Sequence, residues 1–304
     1  MRFFNFFLAK LCLFLTALPC PAAELTDSDD KRITFEKPFA RIISLYPAHT
    51  ENLIALGCED RVVAVGGGDP LKDKRPALRF QDDPERLLAL KPDLVLIRPM
   101  ISRAYPNLVQ RLEENGVTVV SLQPVTQEDL DAYWLALGRL TGREDAAREM
   151  TANFRRRVAE LRAKAEAIPK DKRPRVYFES IHRRMKTFAP DSMAMFVLET
   201  AGGVNAAPDA PQVRETNIAA YGKERLLARA EAIDVYLAQK GRMNPVTVEE
   251  ILAEPGFEAI KAIREKQVFL VDEALVSRPT PGLIAGIEAI RRILYPEVEP
   301  AKQP

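Results

Sequence analysis

Histidine is almost missing from this chain: 304 residues hold two, His49 and His182, far apart in sequence. No carboxylate–histidine cluster accompanies either, so a resident metal centre built from protein atoms is not expected. Cysteine is scarce too. Cys12 and Cys20 fall in or beside the N-terminal segment, which leaves Cys58 alone in the body of the protein. That excludes a disulfide framework and any Cys-x-x-Cys metal spacing, and Cys58, directly after Gly57, reads as a small buried filler. Charge of either sign is not in excess: 44 basic and 43 acidic residues give a net +1. There is no basic surplus for a nucleic-acid surface and no polybasic patch for a membrane. Nucleotide and nucleophile signatures are missing as well. Gly66-Gly67-Gly68 follows an apolar run but leads into Asp69-Pro70, without Gly-x-Gly-x-x-Gly spacing, and no Gly-x-Ser-x-Gly elbow occurs. An enzyme is not expected.

The N-terminus reads as an export signal. Arg2 and Lys10 supply charge, Leu11 to Leu18 an apolar run, Pro19 a break, and Pro21-Ala22-Ala23 small residues before Glu24. The run is short of the ~20 residues that a membrane span needs. Residues 1–23 are therefore expected to be removed, which delivers the protein to the periplasm. Lipid anchoring through Cys20 is the less favoured alternative, because Pro19 is the wrong neighbour for a lipobox.

Beyond the signal, 47% hydrophobic residues with 23 prolines and 14 glycines suit compact cores joined by short loops. Glu85-Arg-Leu-Leu-Ala89 recurs as Glu224-Arg-Leu-Leu-Ala228, about half the chain later. Each copy runs into a strand-like stretch, 93–97 and 233–237. A helix end feeding a buried parallel strand, repeated at that distance, predicts two similar α/β lobes. In the first, strands are read at 41–45, 61–65, 94–97 and 117–122, with helices from Pro47, at 84–91 and at 108–115. In the second, strands are read at 175–179, 233–237 and 267–271, with helices at 193–200, 248–253 and 282–294. A helix at 128–140 bears the only tryptophan, Trp134. The stretch 143–168 then carries Met150, Phe154, Val158, Leu161, Ala165 and Ile168 at helical steps. It would reach roughly 40 Å, either as a strut between lobes or as a surface helix of one of them.

Several stretches resemble the substrate-binding proteins of ABC importers for iron chelates, haem and cobalamin. Arg41-Ile-Ile-Ser-Leu-Tyr-Pro-Ala-His-Thr-Glu-Asn-Leu-Ile-Ala-Leu-Gly57 is similar to that family's opening strand and helix, and Glu85 to Val95 to its most recognisable motif. Leu198–Asn205 and Arg278-Pro-Thr-Pro281 through Pro296 match its second lobe. The resemblance implies two Rossmann-like lobes with mainly parallel sheets, residues 24–142 and 169–304, bridged by one long helix at 143–168. It implies a monomer without a resident cofactor that meets the membrane only through an ABC permease and its ATPase. Glu85 and Glu224 would be the lobe-top carboxylates that dock on permease arginines; the plainer reading places them in helix first turns, where the dipole favours acids. One departure is Arg79-Phe-Gln-Asp-Asp-Pro84 before the first such helix, which puts transfer of ligand contacts from that loop in doubt.

Ligands of open α/β sheets bind beyond the carboxyl ends of the strands. The residues there are Tyr46 and His49; Arg98, Met100, Arg103 and Tyr105; His182, Arg183, Arg184 and Lys186; Gln239, Lys240 and Arg242; and Arg278. Only Asp272 and Glu273 are acids nearby, and arginine forks pair with carboxylates, catecholates and phosphates. An anionic metal chelate is expected, ferric siderophore first, corrinoid or haem as alternatives. Tyr46, Tyr105, His49 and His182 have the chemistry to ligate a bound metal axially; stacking on the ligand or facing solvent are the ordinary alternatives. The competing class is a chelatase-like enzyme, which needs converging histidines and acids and a cytoplasmic substrate pool. Two histidines and an export signal fit it poorly.

Overall fold

The computed structural model describes residues 23–214 and 216–297. The expected signal segment, with Cys12 and Cys20, and the end of the C-terminal tail lie outside the described residues. A hairpin of β1 (Ala23–Thr26) and β2 (Arg32–Phe35) comes first; its short strands were not anticipated. The first lobe then alternates: β3 (Ile42–Ser44), α1 (Pro47–Ala55), β4 (Val62–Gly66), β5 (Ala77–Leu78), α2 (Pro84–Leu88), β6 (Leu94–Ile97), α3 (Pro99–Ala104), α4 (Pro106–Glu114) and β7 (Thr118–Ser121). The five strands pair in the order β5-β4-β3-β6-β7, all parallel. Proline opens α1 through α4, where its missing N–H is no loss, and Gly57 stops the first helix at φ 71°, a conformation that costs glycine little.

Next come α5 (Asp129–Thr141) and α6 (Glu144–Glu166). The second lobe contains β8 (Arg175–Ile181), β9 (Lys186–Phe188), α7 (Met193–Thr200), β10 (Val204–Asn205), β11 (Ile218–Ala220), α8 (Lys223–Ala228), β12 (Val235–Lys240), α9 (Val248–Leu252), α10 (Lys261–Arg264), β13 (Val268–Asp272), α11 (Glu273–Ser277) and α12 (Leu283–Leu294). Its sheet runs β11-β9-β8-β12-β13, with β10 beside the start of β8. The parallel part, β10-β8-β12-β13, repeats the order β4-β3-β6-β7 of the first lobe. The repeat extends to side chains. Asp93 accepts from the N–H groups of Ala40 and Arg41 at 2.8 Å, and Asp234 accepts from that of Arg175 at 2.8 Å. In each lobe an aspartate just before the third strand of the order pins the start of the strand beside it.

One segment differs from the sequence expectation. Residues 182–186 were expected as an open loop after a strand ending at Glu179. Instead β8 runs on to Ile181, a 3-10 turn follows at His182–Arg184, and β9 returns antiparallel. The turn closes through Met185 at φ 47°, where no glycine or asparagine announces a hairpin.

α6, of 23 residues, lies between the lobes. Phe154 meets Trp134 of α5 edge-on at 4.9 Å between ring centroids, and Phe196 of α7 at 6.3 Å. Arg155 pairs with Asp131 of α5 and Arg157 with Glu288 of α12. One apolar cluster therefore runs from Ile42 and Leu96 through Phe154 and Leu161 to Phe178 and Ile287. Among the described residues no helix is long and apolar enough to cross a membrane.

Candidate ligand cleft

Between the lobes, Arg278 and Pro279 after α11 meet Glu51 and Asn52 of α1, and Arg242 after β12 reaches toward Gly68 after β4. Tyr46 leaves β3 in extended conformation, caps α1 and is half-buried. The Arg98 guanidinium, at the end of β6, lies 4.2 Å from the Tyr46 ring centroid, a cation–π contact. Burial raises the Tyr46 pKa; Arg98 and Arg278 draw it partly back. At neutral pH this residue offers an O–H and a ring face, not a phenolate.

His49 does not reach the cleft. It is wholly buried beneath Tyr46, with the two rings edge-on at 5.1 Å. Its Nε2–H donates to the Ile97 carbonyl at 3.0 Å and its Nδ1 accepts from the Tyr133 hydroxyl at 2.7 Å. Burial pushes its pKa down to about 3, so it stays neutral, with both nitrogens engaged. The expectation of His49 at the ligand is corrected accordingly: the first turn of α1 points inward here. The polar chain continues, since Asn52 donates to the Tyr133 oxygen at 3.2 Å and to the Pro279 carbonyl at 3.0 Å. Trp134 Nε1 donates to that same carbonyl at 3.3 Å.

Arg278 crosses between lobes to pair with Glu51 of α1. Burial raises the Glu51 pKa most, Arg278 opposes it, and Asp69 and Asp272 add to the rise. Asp69 is itself buried, accepting from Thr50 Oγ1 at 2.6 Å and the Leu71 N–H at 3.0 Å. The sequence reading missed these two acids, along with Asn52 and Tyr133. A run of Thr50-Glu51-Asn52 in a helix otherwise rich in apolar residues was the available signal. From the opposite lip, exposed Arg242 reaches to 4.0 Å from where a Cβ at Gly68 would stand.

The remaining expected residues are dispersed. Arg103 is exposed on α3 and lines a hollow with Asp29, Lys31 and Glu113. Tyr105 packs its ring 5.0 Å from that of Phe80. Arg183 and Arg184 are exposed on the turn before β9. His182 is buried in a second-lobe network: Nδ1 lies 2.8 Å from Glu179, which also accepts from Tyr236 and, at 3.3 Å, from Asn244. The Glu179 hydrogen bond raises the His182 pKa more than burial lowers it. Among the described residues there is no group of three or more His, Cys, Asp or Glu fit to hold a metal ion.

Glu85 and Glu224 occupy first turns of the equivalent helices α2 and α8, and both are exposed. Glu85 is held by Arg111 at 2.8 Å. Glu224 makes no ion pair among the described residues.

Comparison with known proteins gives a consistent result. Residues 42–275 match the periplasmic binding protein family. An uncharacterized ABC transporter substrate-binding lipoprotein of Bacillus subtilis, YvrC, is 26% identical over 288 residues, 90% of this chain and 85% of its own. A cobalamin-binding protein of Halobacterium salinarum is 32% identical over 193 residues, 60% of this chain and 50% of its own. The structure of an ABC-type Fe3+-hydroxamate transport system from Saccharomonospora viridis superposes with a TM-score of 0.71 at 25% identity, covering 89% of this chain and 98% of that one.

Proposed function

We propose that this chain, which belongs to the periplasmic binding protein family, captures a metal chelate outside the cytoplasm and hands it to an ABC permease with its ATPase. It is a solute-binding protein and not an enzyme. The observation that carries the reading is the pair Arg98 and Tyr46 on one lip with Arg242 opposite, at the strand ends where such sheets take ligands. Residues 24–142 and 169–304 form the two lobes and 143–168 the bridge, with residues 1–23 removed on export to the periplasm.

The charges around the cleft bear on the cargo. Arg98 and Arg242 share the cleft region with Glu51, Asp69, Asp272 and Glu273, with Arg278 already neutralised by Glu51. Such a balance suits a large chelate of modest charge, and a corrinoid becomes the first choice, in keeping with the cobalamin-binding relative. Ferric siderophore is the second reading, favoured because Arg98 and Arg242 form no ion pair among the described residues and remain available to an anion. Glu85 and Glu224, one on each lobe, are the proposed permease contacts.

The test is the visible absorption spectrum of protein purified from its native host after growth with corrinoid, haem and ferric hydroxamate all supplied. A corrinoid band is expected. A preparation without any chelate band contradicts the reading.

A further inference from the structure

We infer that Glu51, Arg278 and Asn52 are positioning residues: they tie the lobes together beneath the ligand and thereby fix Tyr46, and Arg278 is not itself a ligand contact. The inference rests on the proposed chelate-binding role for its functional half only. Its structural half stands on three contacts made by two consecutive residues. Arg278 pairs with Glu51, and the Pro279 carbonyl accepts from Asn52 and from Trp134. The N-lobe partners sit on α1 and α5, and Tyr46 is the N-cap of α1.

The tie reaches the second cleft residue as well. Asn52 donates to Tyr133, Tyr133 to His49, and His49 to the carbonyl of Ile97, the residue before Arg98. Every donor in this chain is oriented by the next acceptor, so the backbone from which Arg98 reaches over Tyr46 is held by the same network that grips Pro279. Arg278–Glu51 is the one direct lobe-to-lobe ion pair among the described residues, and both members are about three-quarters buried, at 24% and 25% side-chain exposure. A partly buried pair exchanges poorly with solvent ions and keeps its geometry better than a surface pair.

Glu51→Gln decides between a tie and a ligand contact, because the two predict opposite signs. If Arg278 contacts an anionic chelate, freeing it from Glu51 tightens binding. If it is a tie, Glu51→Gln weakens binding just as Arg278→Gln does, and the double variant is no worse than either alone. Haemin, whose two propionates are anionic, and cyanocobalamin, titrated separately, serve as probes. A loss of roughly three- to thirtyfold in each variant, without additivity, is expected. Trp134, the only tryptophan, reads the tie without any ligand. Its emission should shift to longer wavelength by the same amount in both single variants and the double. Tighter binding by Glu51→Gln, additive losses, or an unchanged Trp134 spectrum each overturn the inference. Should the native protein bind neither probe, the cargo reading fails and the Trp134 arm still decides the tie.

Discussion

His49 shows how one buried side chain links the cleft to solution conditions. Its folded pKa of about 3 lies below the ordinary 6.5. As pH falls through 6.5 the unfolded chain takes up a proton that the folded chain refuses. Its stabilising contribution is therefore complete above pH 6.5 and is lost progressively between 6.5 and about 3. His182 runs the other way: its folded pKa is raised, so its contribution is complete below 6.5 and fades as pH rises through the raised value. Melting temperatures measured from pH 7 to pH 4 should fall, and His49→Asn should flatten that slope; an unchanged slope would show that another group carries the acid sensitivity. At the ligand, Arg98→Ala should weaken chelate binding by about 1–3 kcal/mol, the range for a charged hydrogen bond. Tyr46→Phe should cost less, since the ring face that Arg98 covers survives. Calorimetric titration of the two variants checks the order. The sequence placed Tyr46, Arg98 and Arg242 at strand ends correctly. It did not reveal that α1 turns His49 inward, because one face of a short helix with a buried polar row has no distinct apolar period.

At the scale of elements, the repeated Glu-Arg-Leu-Leu-Ala was the most legible feature, since a helix feeding a buried strand is written in local pattern. The long helix was equally legible from its stripe of Met150, Phe154, Val158, Leu161 and Ala165, whereas its place between the lobes was implied only by the family resemblance. β9, β10 and β11 were not, being two or three residues each, with β9 entered through a turn at Met185 that carries no turn residue. β9 and β10 find their partner in β8, and β11 finds its partner in β9, remote from it in sequence. Removal of both Glu85 and Glu224 by alanine should leave the melting temperature and chelate affinity nearly unchanged, because exposed charges add little to stability. Uptake should fall, and permease binding should weaken with added salt. A transport assay beside a thermal melt separates this from a helix-dipole role, which predicts a lower melting temperature with normal uptake.

Across the whole molecule, α6, the Trp134–Phe154–Phe196 ladder and the tie at Arg278–Pro279 hold two lobes on one continuous core. Such a body resists wide hinge closure. X-ray scattering with and without bound chelate should give nearly superposable curves, and a fall of several ångströms in radius of gyration would refute the rigid bridge. The central claim is that the cleft between these lobes binds a metal chelate, and direct titration addresses it. Protein beginning near Glu24 is titrated with cyanocobalamin, haemin and a ferric hydroxamate, followed by visible absorbance and Trp134 emission. Saturable binding of cyanocobalamin with a Kd of about 1 µM or tighter is predicted, abolished or weakened by Arg98→Ala; absence of saturable binding by all three chelates would contradict the account.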